Sequence, residues 1–111
     1  MRALVFDPGE LRRELVLEQV SLAPDGYGGQ VETWGMTATL FCRVEPVAAK
    51  SVFAADQALE TVTHRITLRQ TDAVGSGMRF RDGERIFRIL TVYDPDETGR
   101  YLVCQAEEDG L

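Results

Sequence analysis

His64, Cys42 and Cys104 are the residues whose types could support nucleophilic chemistry. A cysteine nucleophile needs a base within reach of its sulfur and a third group to orient that base. No local motif supplies such a set. His64 is the single histidine, and it falls on the apolar phase of an alternating segment with Ile66 and Leu68. A packed or interface histidine is the plainer reading of that setting. Cys42 and Cys104 lack CxxC spacing and sit in apolar stretches, which reads as two buried free thiols. One histidine and two distant cysteines do not complete a usual zinc set. The expectation is therefore no catalytic residue, no metal and no cofactor.

Three further clusters invite a chemical reading. Gly26-Tyr27-Gly28-Gly29 has the glycine content of a phosphate loop, but Gln30-Val31-Glu32-Thr33-Trp34 after it reads as extended rather than helical. A phosphate site needs a helix there, so the loop is about a tight turn or mobility. Asp94, Asp96 and Glu97 are close in sequence, yet Pro95 intervenes and the twelve-residue calcium pattern is missing. They read as a solvated turn. Arg79, Arg81, Arg85 and Arg88 crowd one hairpin, interleaved with Asp82 and Glu84. They could meet DNA phosphates or acidic protein groups, or form a polar face opposite Phe80, Phe87 and Ile89.

The elements that must position these residues are mostly strands. Val62, His64, Ile66 and Leu68 alternate with Thr61, Thr63, Arg65, Thr67 and Arg69, the clearest period of two in the chain. Glu14 to Leu22, Val31 to Met36, Thr37 to Val44, Met78 to Arg81, Glu84 to Tyr93 and Tyr101 to Glu107 are extended segments of the same kind. Asp82-Gly83 and Asp94 to Gly99 are turns. Residues 48–60 are Ala-rich, with Ser51 able to cap and Val52, Ala55 and Leu59 near helical spacing, which predicts a short helix. The sum is a mainly β chain: a small antiparallel barrel or sandwich of about six strands, one short helix and long flexible loops. Residues 1–8 read as an N-terminal arm, 9–107 as the domain and 108–111 as an acidic tail.

Composition narrows the partners. The 111 residues support one domain, and a hydrophobic fraction of 44% is enough for a core without staples. Eighteen acidic residues against 12 basic ones give a formal charge of -6. That argues against a free-standing nucleic-acid binder, which would carry a basic stripe. Lys50 is the only lysine; the other cations are arginines, which favour forked carboxylate pairs and interfaces. No apolar run is long enough to span a bilayer, no signal peptide is visible, and the cysteines suggest a soluble, reducing, intracellular setting.

The order of these features resembles the head-closure family of tailed bacteriophages and gene transfer agents, also called head–tail adaptors or stoppers. The similarity is carried by Gly9-Glu10-Leu11-Arg12-Arg13 and by Asp25-Gly26-Tyr27-Gly28-Gly29 leading to Trp34. It continues through Cys42-Arg43-Val44-Glu45-Pro46, Thr63-His64-Arg65-Ile66-Thr67-Leu68-Arg69 and Met78-Arg79-Phe80. It runs over roughly residues 9 to 107, and the order and spacing are more specific than any single motif.

The resemblance implies a non-enzymatic β-barrel that forms a homo-oligomeric ring, a hexamer, in the neck of a virion or virion-like particle assembled in the bacterial cytoplasm. The ring would close the filled head beneath a portal or adaptor protein and dock a tail terminator or tail tube protein below. Double-stranded DNA would pass through it unbound, with no membrane involved, and the acidic surplus suits such a conduit because like charges repel phosphates. The resemblance also assigns residues. Tyr27 and Trp34 would be interface anchors; Lys50, Ser51, Val52 and Phe53 would lie near the lumen or gate. Arg65 and Arg69 would pair with acidic groups of the next subunit. A monomer or weak oligomer is expected in isolation. Two rivals remain: a small barrel that binds oligonucleotides or protein, and a small hydrolase using His64 with Cys42 or Cys104.

Overall fold

The computed structural model describes residues 7–53 and 59–110, with backbone alone at 48–53 and at 59–60. A 3₁₀ turn, Pro8–Glu10, comes first. Pro8 presets its φ, and the Asp7 carboxylate accepts the Gly9 N–H at 2.9 Å, satisfying one of the turn's free donors. Six strands follow: β1 Arg13–Pro24, β2 Gln30–Phe53, β3 Leu59–Arg69, β4 Arg79–Asp82, β5 Arg85–Tyr93 and β6 Tyr101–Glu108. They pair antiparallel in the order β1-β2-β3-β6-β5-β4, and β4 returns to β1 to close a barrel. Closure removes most of the open edge that a flat sheet would expose.

The period of two decides which side chains fill the barrel. Leu15 and Leu17 of β1 point inward, as do Cys42, Ile66, Leu68, Phe80, Phe87, Ile89, Leu102, Cys104 and Ala106. Phe80 and Phe87 are fully buried and face each other across the β4–β5 ladder. Extra residues interrupt the ladders at Thr37, at 47–49 and at Leu90, where the partner strand advances by fewer steps. Such bulges bend the strand and sharpen its twist, which a small closed barrel requires.

The short helix expected over 48–60 is overturned wherever the backbone is described. Lys50, Ser51, Val52 and Phe53 continue β2 and pair with Val62, Thr61, Glu60 and Leu59; the remainder of that expected helix, 54–58, lies outside the described residues. Helix propensity differs by only tenths of a kcal/mol per residue, and a hairpin ladder overrides it. β2 therefore runs unbroken for 24 residues, where the sequence suggested a loop, two strands and a helix. The last strand runs as expected through Glu107 and takes in Glu108, the first residue of the expected acidic tail.

β2 outlasts the barrel at both ends. β4 meets β1 only at Val16, Leu17 and Glu18, and β3 meets β2 only from Cys42 onward. Residues 19–24 and 30–36 therefore leave the barrel as a two-stranded arm. At the opposite end of β2, residues 50–53 and 59–62 form a second extension, because β6 joins β3 only from His64. The described chain measures 52 × 32 × 25 Å.

Candidate functional site

The root of the arm is held by a buried acid. Glu18 follows the inward Leu17 and lands on the outer face of the barrel beside Arg79 and Arg81 of β4. Arg79 donates to Glu18 Oε1 at 2.7 Å, and Arg81 lies 3.2 Å from Oε2. The two arginines alternate with Phe80, so the strand that buries Phe80 necessarily offers both guanidiniums to one carboxylate. Arg79 also stacks over Trp34, 4.1 Å from the ring centroid. Trp34, opposite Val20 in the arm, is thus half-buried and fastens the arm to its own barrel. Below the arm lies a groove of about 460 Å³ lined by Val20, Leu22, Glu32, Trp34, Met78 and Arg88 among others.

The tip is a closed turn. Asp25 Oδ1 accepts the N–H groups of Tyr27 at 2.6 Å and Gly29 at 3.0 Å, and Asp25 N–H donates to Gly29 O at 3.1 Å. Those amide donors hold the Asp25 carboxyl below its usual range, with Tyr27 the larger cause. Gly26 and Gly28 have φ of 85° and 87°, a region that glycine enters without strain. Tyr27 stands out from this turn with 94% of its surface exposed. The glycines serve turn geometry, as the absence of a following helix implied.

One mouth of the barrel is closed by charge. Arg13 starts β1 and pairs with Asp82 at the end of β4. Arg85 starts β5 and grips Glu108 at the end of β6 through two bonds of 2.7 and 3.0 Å. His64 Nε2 faces the same Glu108 at 3.8 Å, and its ring meets Phe87 edge-on at 5.0 Å. Thr63 Oγ1 accepts the Glu108 N–H at 2.8 Å and lies 2.9 Å from His64 Nδ1. The same hydroxyl donates to Ala106 O at 3.5 Å, so Thr63 ties His64 to the end of β6. Burial holds His64 below its ordinary pKa, opposed by the Glu108 charge and aided by Arg85 and Arg13. The Arg85 hydrogen bonds hold Glu108 below the usual carboxylate range.

The ring nitrogens of His64 thus face Thr63 and Glu108. Both thiols are buried in the core, and burial pushes each up to about 12, so they are protonated near neutral pH. The Cys42 thiol donates to Leu40 O at 3.7 Å. Among the described residues no group of three metal-ligating side chains forms.

The arginine hairpin resolves in favour of acidic neighbours within the chain. Arg79 and Arg81 serve Glu18, Arg85 serves Glu108, and Arg88 pairs with Glu107 and, at 2.8 Å, with Asp109. Arg65 lies 3.4 Å from Glu45 of its own chain. Arg69 is exposed on the rim of a groove of about 400 Å³ bounded by Pro8, Leu11 and Phe41, and has no acidic partner among the described residues. The backbone of Lys50, Ser51, Val52 and Phe53 lies in the second extension. Sequence reasoning missed two buried acids, Glu18 and Asp96. Asp96 accepts from Thr98 N–H at 3.2 Å, Thr98 Oγ1 at 2.6 Å and Arg100 at 3.0 Å, so the expected solvated turn is an internally tied loop. A visible signal existed for Asp96, since D-x-T is a local capping pattern. None existed for Glu18, whose partners lie 61 or more residues away.

No curated protein matches the chain. Among solved structures it is similar to a chain from a structure described as the virion of a native gene transfer agent particle. The identity is 33%, the TM-score 0.66, and the match covers 87% of this chain and 94% of the other. A family model described as phage head completion protein matches residues 6–109, nearly the whole of the barrel and both extensions, so the chain belongs to the phage head completion protein family.

Proposed function

We infer that this chain is a structural component of a phage or gene transfer agent particle and completes the DNA-filled head. In that reading it forms a homo-hexameric ring in the neck, below a portal or adaptor protein and above a tail terminator or tail tube protein. The observation that carries the reading is the 33% identity to a gene transfer agent virion chain across 87% of the sequence. The charge pattern supports it. A ring around passing DNA must not adhere to phosphate, and here the arginines of β4 and β5 are neutralised by acids of the same chain in a protein of formal charge -6. Tyr27 at the arm tip and Arg69 on the groove rim are offered as subunit or partner contacts. Trp34 and Arg65 would act there through the arm and Glu45 they already hold. Residues 50–53 are offered as the segment nearest the lumen.

Deleting the gene and complementing it tests the reading. The expected result is heads that fill, lose their genome and fail to join tails, with joining restored by the wild-type chain. Tailed, DNA-retaining particles made in its absence would refute it.

A further inference from the structure

The arm carries two bare backbone edges. On the β1 side, β4 stops pairing at Glu18; on the β2 side, β3 begins at Cys42. Residues 19–24 and 30–41 therefore have a ladder partner on one side only, among the described residues. An edge of that length presents a row of N–H and C=O groups to any incoming strand, and proteins ordinarily shorten, charge or cover it. Along the arm the large apolar side chains Leu22, Val31 and Met36 are 56%, 50% and 69% exposed.

The two edges fit each other. β1 runs from the barrel to the tip and β2 runs back. A copy rotated about an axis along the arm brings its β1 edge beside the first copy's β2 edge in antiparallel sense, the geometry a ladder requires. We propose that arms of adjacent copies join in this way, β1 of one to β2 of the next, so that the arms around the ring make one continuous antiparallel sheet. The inference rests on the ring in the reading above. A second copy is the occupant that satisfies both edges at once, because a head-to-tail contact repeats until it closes. Self-pairing of β1 with β1 would close a dimer and leave the β2 edge bare. The arm is prepared for the contact: Trp34 and Glu18 fix its root on Arg79, and Asp25 fixes its tip, so few degrees of freedom are lost on pairing.

The test is disulfide trapping in assembled particles that contain two differently tagged copies. One copy carries Ser21→Cys; the other carries a single cysteine scanned over positions 31 to 36. The scan makes the result independent of register, and the native thiols are buried. The expected product at one or two scan positions is a dimer containing both tags, with no dimer of two Ser21→Cys chains. Ser21→Cys homodimers would overturn the proposal, as would rings holding the normal complement of chains that trap no mixed dimer at any position. A general lysine-independent cross-linker applied to the same particles separates the two levels. Ring-sized products without a mixed disulfide sink the edge pairing alone, whereas a chain recovered as monomer sinks the ring as well.

Discussion

Arg79 stands between Trp34 and Glu18, with its guanidinium 4.1 Å from the indole centroid and 2.7 Å from the carboxylate. One side chain of the shortest strand thereby sets the direction in which the longest hairpin leaves the barrel. Glu18 is almost wholly buried, so the pair is not a surface ion pair of small worth.

Glu18→Ala is expected to destabilise the fold by about 3 kcal/mol, because it leaves Arg79 largely buried beside a missing anion. Denaturant unfolding followed by circular dichroism measures this. A double-mutant cycle with Trp34→Ala and Arg79→Ala should give a coupling of about 0.5–1 kcal/mol. Additivity of the two single changes would show that the stack does not hold the arm.

His64 is held below its ordinary pKa, so the unfolded chain takes up a proton before the folded one does. Its contribution to stability is present above about pH 6.5 and is lost as the pH falls through the lowered folded value. Glu108 repeats the pattern lower down: its contribution is present above the ordinary carboxylate range and is lost as pH falls through its depressed value. Stability against pH should therefore decline in two stages on acidification. His64→Phe should remove the first stage and leave the second.

The Glu108 charge opposes the effect of burial on His64. Glu108→Gln should lower the His64 titration midpoint further, read from the ring proton shifts by NMR. An unchanged or raised midpoint would contradict the mouth geometry.

The thiols of Cys42 and Cys104 are pushed up to about 12. Iodoacetamide at pH 8 should leave both unmodified in the native chain and alkylate both in denaturant, as mass spectrometry will register. Rapid native alkylation of either would mean that the barrel opens at that seam.

Asp25→Ala should leave the Tyr27 and Gly29 amides without their acceptor and loosen the tip. Backbone NMR order parameters across 25–29 should fall while the melting temperature is unchanged, since every residue of that turn is exposed.

Much of the barrel was legible because a strand writes its two faces into alternate positions. Val62, His64, Ile66 and Leu68 read as one face, and all four are buried. Phe80, Phe87 and Ile89 read likewise against their arginines. The Ala-rich segment misled, since composition reports propensity and not the presence of a partner strand; residues 50–53 are strand because 59–62 lie alongside. The same limit hid the arm: glycines at 26, 28 and 29 left a tight turn and a mobile segment both open, whereas the turn is confined to Asp25–Gly29 and the flanks are paired.

Local order, charge balance and core-facing positions were set by the amino-acid sequence itself, since each depends on neighbours within a few residues. Which arginine meets which acid, why Glu18 can be buried, and where two backbone edges stay bare among the described residues depended on tertiary structure. Those relationships join strands far apart along the chain, and only closure of the barrel brings them within a few ångströms.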